Sequence, residues 1–351
     1  MDHAWELWKK KEYPGHHLWG ATHFNKYGID VDILPHEKYI FLKKMSSKIK
    51  VLGDLDQQLR ILFKSSQYDI LYSGHYFNTL LLAFMRSLGI FKKPVVAIAF
   101  QAFDKNIGTA ILVNLLVKGH DKLICSSSGI RSQLKDKFDI PDEKLELLEW
   151  GVDLSLYKHK NYDNAYEVRG SQTSFVLSAG KSYRDYNTLV QAFREINYTL
   201  KIFCSEGSAP TYFELPSNIE LTYEASFLEL LPEYEKAYAV AIPLDINPKT
   251  SYNMIGQTSL LDAMAMAKAV IMTRNRYIDI DIEKEGIGIW VEPGDVKGWQ
   301  QAIAYLLDHP QETEEMGKRA YHLCESKYNI EVFSSGLAKI LKSVLRGTAL
   351  T

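Results

Sequence analysis

Short apolar runs alternate with longer amphipathic ones along most of the chain. Residues 29–34 read as a strand, 54–64 as a helix of period 3.6, 69–72 as a short buried strand and 78–88 as a helix. The run Pro-Val-Val-Ala-Ile-Ala-Phe at 94–100 is continuously apolar, as expected of a strand covered on both faces. A helix over 107–118, a strand over 122–125, a helix over 128–137 opened by a serine cluster that can cap it, and a strand over 145–148 follow. Strands that alternate with helices in this way predict a doubly wound parallel sheet.

The pattern lapses around 151–172, which is polar and aperiodic and reads as a linker. It then restarts. Strands are predicted over 174–179, 199–204, 219–223, 239–244, 269–273 and 287–291. Helices are predicted over 185–195, 227–237 and 259–267, and three more, over 296–308, 311–327 and on to about 345, end the chain. The expected organisation is one β/α domain over 1–155, a linker over 156–172, a second β/α domain over 173–328 and a C-terminal helix over 329–351 that returns to the first domain.

A chain of 351 residues is long enough for two such domains. Apolar residues at 46% and charged residues at 24% are ordinary for a folded globular chain, which excludes extended disorder. There are 41 basic and 43 acidic residues, so nothing in the total drives nucleic-acid binding, and none is expected. The halves differ, however. Residues 1–160 carry 23 basic and 18 acidic side chains, the remainder 18 and 25. A basic first half suits an anionic substrate or a peripheral contact with a membrane surface. The three cysteines are far apart in the chain and suggest neither a disulfide framework nor a metal site. The N-terminal residues lack an apolar signal core, and the longest apolar stretch, 79–91, is broken by Arg86 and too short to span a bilayer. A reducing, cytoplasmic setting is the expectation.

Four segments carry candidate chemistry. In the first, a strand ends at Ala179-Gly180 and a helix begins near Asp185, with Lys181 and Arg184 between them. Two cations beside a helix N-terminus suit a diphosphate, although a surface β–α turn with incidental charges reads equally well. In the second, Gly256, Gln257, Thr258 and Ser259 form a polar turn opening a helix, with Asp262 three residues on. Its amides and hydroxyls suit phosphate or sugar oxygens, and the carboxylate suits a ribose diol; alternatively Ser259 and Asp262 are a capping pair. The third is Trp150-Gly151-Val152-Asp153. The fourth is Val291-Glu292-Pro293-Gly294-Asp295, a strand, a turn and a helix cap.

In order and spacing these segments resemble the retaining glycosyltransferases of the GT-B fold, of the family-4 type. The residues that carry the likeness are Gly151-Val152-Asp153, Gly180-Lys181-Ser182-Tyr183-Arg184, the unit from Asp262-Ala263-Met264-Ala265 to Ala269-Val270-Ile271, Val291-Glu292-Pro293-Gly294-Asp295 and Met316-Gly317-Lys318-Arg319-Ala320. It is strong over 150–330 and weaker over 15–150. It implies two Rossmann-like domains facing a cleft. The implied activity is transfer of a sugar, with retention and without a metal or other cofactor, from a nucleotide-diphosphate donor such as a UDP- or GDP-hexose. The acceptor, a glycan, a lipid-linked sugar or a small molecule, stays open.

The resemblance also implies roles. Lys181 and Arg184 would hold the donor diphosphate, with Gly180 at the turn. Asp262, the second acid of the family's E-x7-E pair, would bind the ribose. Gly256, Gln257, Thr258 and Ser259 would lie along phosphates and sugar, and Gly15 would match the family's glycine loop. His16, His17 and His75 are candidate cleft contacts. The chain departs from the family in several places. Met254 stands where the first acid belongs, and Ala267 where a glycine belongs. Gln101-Ala102-Phe103-Asp104 lacks the histidine often found there, and residues 1–12 make a poor first strand. Two other readings therefore stay open: a nucleotide-sugar epimerase of the same fold, and a non-catalytic nucleotide-sugar-binding partner subunit.

Overall fold

The computed structural model describes residues 2–34, 38–48, 54–101, 107–157, 174–212, 214–246 and 254–348. The chain divides into two compact units. One comprises Met1–Lys11, Gly15–Trp150 and Ile330–Thr351, the other Glu12–Pro14 and Gly151–Asn329. Most of the expected linker, 158–172, lies outside the described residues.

The first unit opens with helix α1 (Asp2–Lys9), then two short 3-10 helices, Gly15–Leu18 and Phe24–Tyr27. Helices α2 (Ile40–Lys48) and α3 (Leu55–Phe63) precede strand β1 (Leu71–Ser73). The β/α alternation then runs through α4 (Leu80–Ser87), β2 (Val95–Ala99), α5 (Ile107–Gly119), β3 (Lys122–Cys125), α6 (Ser128–Phe138) and β4 (Leu145–Leu147). The four strands are parallel in the order β1-β2-β3-β4. All five residues of β2 are buried, as its unbroken apolar run requires of a strand covered on both faces. Asp54 and Ser127 cap α3 and α6 by accepting from the N–H groups of Gln57 and Ile130. The chain's last helix, Ile330–Thr348, belongs to this unit, where Phe333, Ser334 and Leu337 close over Gly20.

One expectation in this unit is corrected. Residues 29–34 form no strand. Leu34 packs against the cluster that Ile61, Leu82, Phe91 and Val95 form, and its carbonyl accepts from the Gln57 side chain (2.7 Å) instead of a ladder partner. Residues 1–12, read from the sequence as a poor strand, are indeed not one: most of them form the helix α1. Its residues Trp5 and Trp8, three apart, bring their rings to 5.0 Å, and Lys9 lies over the Trp5 ring.

The second unit holds β5 (Phe175–Ala179), α7 (Tyr186–Phe193), β6 (Thr199–Cys204), β7 (Ile219–Tyr223), α8 (Phe227–Lys236), β8 (Ala239–Ile242), α9 (Gln257–Ala265), β9 (Ala269–Thr273), β10 (Gly288–Val291), α10 (Val296–Asp308) and α11 (Pro310–Ser326). Its six strands are parallel in the order β10-β9-β8-β5-β6-β7. Four of them, β5, β8, β9 and the inward face of β6, are fully buried and make the core with Leu189, Phe193, Trp299 and Ile303.

The motif at 262–271 has a physical reading. Helix α9 ends in a Schellman turn, with Lys268 N–H on the Ala263 carbonyl (2.9 Å) and Ala267 N–H on that of Met264 (3.0 Å). Ala267 is left-handed at φ 50°, where the family has glycine, and a side chain there costs about 1–2 kcal/mol. Gly317 of α11 sits against the same turn. A Cβ on it would lie 2.1 Å from the Ala267 carbonyl oxygen, so the glycine of the Met-Gly-x-x-Ala segment is needed for helix contact.

Candidate active site

In the second unit, successive strands leave β5 in opposite directions. β6 and β7 lie to one side, β8, β9 and β10 to the other. The C-terminal ends of β5 and β8 therefore flank a topological switch point, where open parallel sheets leave a crevice for ligands. The turn after β5 is sewn to the segment after β8. Asp245 N–H donates to Tyr183 O (3.0 Å), Asp185 N–H to Pro243 O (3.3 Å), and Arg184 bridges Leu244. Asp185 caps α7 through Thr188 N–H.

This stitching turns Arg184 inward over Gly180. A Cβ on residue 180 would lie 2.3 Å from Arg184 Nε and 2.5 Å from Cζ, so the absence of a side chain there makes room for the guanidinium. Arg184 donates through Nη1 to Ser182 O (2.8 Å) and through Nη2 to Ser259 Oγ (2.9 Å), and its buried Nε has no partner. Among the described residues no carboxylate pairs with it. Burial without a counterion lowers its pKa. Lys181, three residues earlier, is exposed and paired with Glu224 (3.0 Å).

Ser259 accepts from Arg184 and donates to the Ala179 carbonyl (2.9 Å), so it ties α9 to the end of β5. The N-cap of α9 is Gly256 at φ 89°, where a Cβ would meet Met272 at 2.7 Å and Leu244 at 3.0 Å. Neither Ser259 nor Asp262 caps this helix, which disposes of the capping-pair reading. The helix N-terminus with Gln257 and Thr258 thus faces the same strand ends as Arg184. Met254 has no charge to offer; its carbonyl accepts from Gln257 N–H (3.2 Å).

One turn further along α9, the half-buried Asp262 accepts from the Tyr157 hydroxyl (2.5 Å). Burial pushes its carboxyl up to about 7, and the Tyr157 hydrogen bond opposes that rise. Tyr157, Tyr234 and Tyr13 surround it, each held above the usual phenol value by burial and then by the Asp262 charge. Tyr157 and Tyr13 both pack edge-on to Phe227. Sequence reasoning missed these tyrosines. They come from three separated segments, and no spacing in the chain links them.

The remaining candidates lie in the first unit. Gly15 opens a 3-10 helix, and His16 is buried with its ring 5.2 Å from Trp150, whose indole donates to the His16 carbonyl (3.1 Å). His17 lies against both rings. Burial lowers His16 well below its usual value and His17 to about 4, so both are neutral at pH 7. His75 accepts from Phe77 N–H (3.0 Å), packs on Tyr76 and Phe100 and is likewise held at about 4. These histidines and Trp19 form one aromatic cluster around Trp150 and Phe100. Gln101 accepts through its carbonyl from Tyr76, and residues 102–104 lie outside the described residues. In the second unit, Gly151 and Val152 pack on the backbone at Tyr328 and Asn329, and Asp153 caps the short turn Leu154–Leu156.

No family model matches the chain, and no curated protein matches it in sequence. Solved structures do match in shape. A glycosyltransferase from Rickettsia africae superposes with a TM-score of 0.65 at 16% identity, over 92% of this chain and 87% of that one. Anabaena Alr3699/HepE in complex with UDP gives 0.67 at 14%, over 92% and 88%. WaaG, a glycosyltransferase involved in lipopolysaccharide biosynthesis, gives 0.62 at 12%, over 93% and 94%. These likenesses show the fold, an α/β chain of two Rossmann-like units of the GT-B type.

Proposed function

We propose that this chain is a glycosyltransferase that moves a hexosyl group, with retention, from a nucleoside-diphosphate sugar to an acceptor. The observation that carries the reading is Arg184. A half-buried guanidinium with no carboxylate counterion among the described residues is costly, and it stands at the switch point beside the N-terminus of α9. A diphosphate supplies the missing negative charge. As the glycosidic bond breaks, charge grows on the bridging oxygen, and a cation held there favours the transition state over the ground state. Lys181 joins it by leaving its exposed partner Glu224, a pair worth about 0–1 kcal/mol. Asp262 takes the ribose hydroxyls. With these cations in place the leaving group needs no metal. UDP or GDP is the expected base carrier, and the structures of Alr3699/HepE with UDP and with UDP-glucose support a uridine donor.

The test is thermal unfolding with UDP, GDP and ADP in turn. A diphosphate near 100 times its Kd should add about 2.7 kcal/mol of stability. No response to any of the three at millimolar concentration would remove the donor site. Incubation with nucleotide sugars then separates the classes: free nucleotide marks transfer or hydrolysis, an altered sugar marks epimerisation, and binding without turnover marks a partner subunit.

The first unit supports a peripheral contact with an anionic bilayer. No helix among the described residues is long and apolar enough to cross a membrane. Yet Phe63 at the end of α3 and Phe84, Leu88 and Ile90 at the end of α4 are exposed by 86, 49, 58 and 61%. Beyond the two helices, Lys93 lies over the Tyr68 ring. Residues 38–93 carry ten basic and three acidic side chains. Sedimentation with phosphatidylglycerol vesicles, but not with phosphatidylcholine alone, is the expected outcome. Phe63→Ser with Ile90→Ser should abolish it. Equal binding to both lipids, or none, would exclude the contact.

A further inference from the structure

We propose that Tyr157 is the positioning residue of the nucleotide site: its hydroxyl holds one oxygen of Asp262 so that the other, ionised, accepts from the ribose diol. The inference rests on the donor-site reading above and goes beyond it, because no motif in the chain includes Tyr157.

The geometry starts at Gly151. Val152 donates to the Tyr328 carbonyl (2.9 Å), and Asp153 caps the turn Leu154–Leu156 through Ser155 N–H (3.1 Å). Tyr157 N–H closes that turn on the Leu154 carbonyl (3.1 Å). The side chain so anchored is 3% exposed, and its position is set from both sides of the turn. Its hydroxyl makes the sole hydrogen bond that the Asp262 carboxylate receives among the described residues. An ionised carboxylate has about four acceptor sites, so most of its capacity is left for a ligand.

The rest of the surroundings oppose ionisation. Tyr234 of α8, Tyr13, and Cys324 of α11 feel the Asp262 charge without offering one of opposite sign. Arg184 acts on the same Tyr234, but its guanidinium donates to Ser259, one turn earlier on α9. A carboxyl buried among phenols takes up a proton near neutral pH and then offers a donor where the ribose also offers donors. The hydrogen bond from Tyr157 favours the charged form and fixes which oxygen faces outward.

The experiment measures the affinity of the nucleoside diphosphate that the wild type binds, from pH 5.5 to 9, in the wild type, Tyr157→Phe and Asp262→Asn. The ligand's own phosphate titration is common to all three and is read from Asp262→Asn. Tyr157→Phe should move the Asp262 midpoint upward by about one pH unit. Its affinity then falls by about fivefold at pH 7, by up to about tenfold toward pH 5.5, and recovers toward pH 9. In the ligand-free protein, the fall of stability with pH should extend to higher pH in the same variant. A deficit of constant size at every pH would mean that Tyr157 only packs, and would overturn the proposal while leaving the nucleotide site intact. Absence of binding to the wild type at every pH would overturn the donor-site reading and this proposal with it.

Discussion

Replacing Arg184 with methionine should lower kcat/KM for nucleotide-sugar turnover by at least about 10²-fold, a loss of roughly 2.7 kcal/mol in transition-state stabilisation. The ligand-free protein should meanwhile unfold at the same temperature or higher. The two effects have one cause. The guanidinium lies over Gly180, and among the described residues its Nε makes no hydrogen bond and no carboxylate neutralises it. Removing a buried charge that lacks a partner relieves a desolvation cost, while a methionine of similar length keeps the packing. A purely structural arginine would behave in the opposite way, with a fall in melting temperature and little change in turnover. Steady-state kinetics and thermal unfolding of the same variant decide between them. Near-wild-type turnover would place the phosphate site elsewhere.

Asp262→Asn should weaken nucleotide binding at pH 8 by about 1.5–3 kcal/mol, the range for a hydrogen bond to a charged group. It should also change how stability depends on pH. The Asp262 carboxyl titrates at about 7 in the folded chain, above its ordinary 3.8. Between those values the native state binds more protons than the unfolded one, so wild-type stability falls as pH rises through this window. Asparagine carries no charge and removes that component of the slope, which makes the variant relatively more stable at pH 8 than at pH 4. Denaturant unfolding at the two pH values measures it. An unchanged slope would mean that Asp262 is ionised throughout and that the phenols around it do not govern its charge. Arg184 and Asp262 thus share a character: each is a charge kept out of water at the expense of stability, as a ligand site requires.

The sequence carried the succession of elements because each depends on neighbours in the chain. The unbroken run at 94–100 became a strand buried along its length, and the segments at 122–125, 199–204 and 219–223 are strands over those same residues. Two capping sites were legible for the same reason: Ser127, in the serine cluster, and Asp295 each accept from an N–H three residues on, in the helix they open, and the structure adds Asp54 and Asp185 in the same role. Where local pattern misled, a distant partner had intervened. The alternation at 29–34 looks like a strand, but the Gln57 side chain takes the Leu34 carbonyl.

Gly180, the two cations after it and Asp262 on α9 could all be read from residue type and spacing. Which cation is buried could not. Lys181 and Arg184 stand three apart in one turn, and local sequence treats them alike. Backbone bonds from that turn to Pro243 and Asp245, some sixty residues on, point Arg184 inward and leave Lys181 exposed beside Glu224. The order of strands that places β8 next to β5, and so opens the switch point, is likewise a choice among sheet pairings of similar local cost. The tyrosines around Asp262 arrive from residues 13, 157 and 234. Periodicity encodes which face of an element is apolar, since that repeats every two or 3.6 residues. The electrostatics of a buried carboxyl depend on groups brought within a few ångströms by the fold, and sequence separation says nothing of that distance.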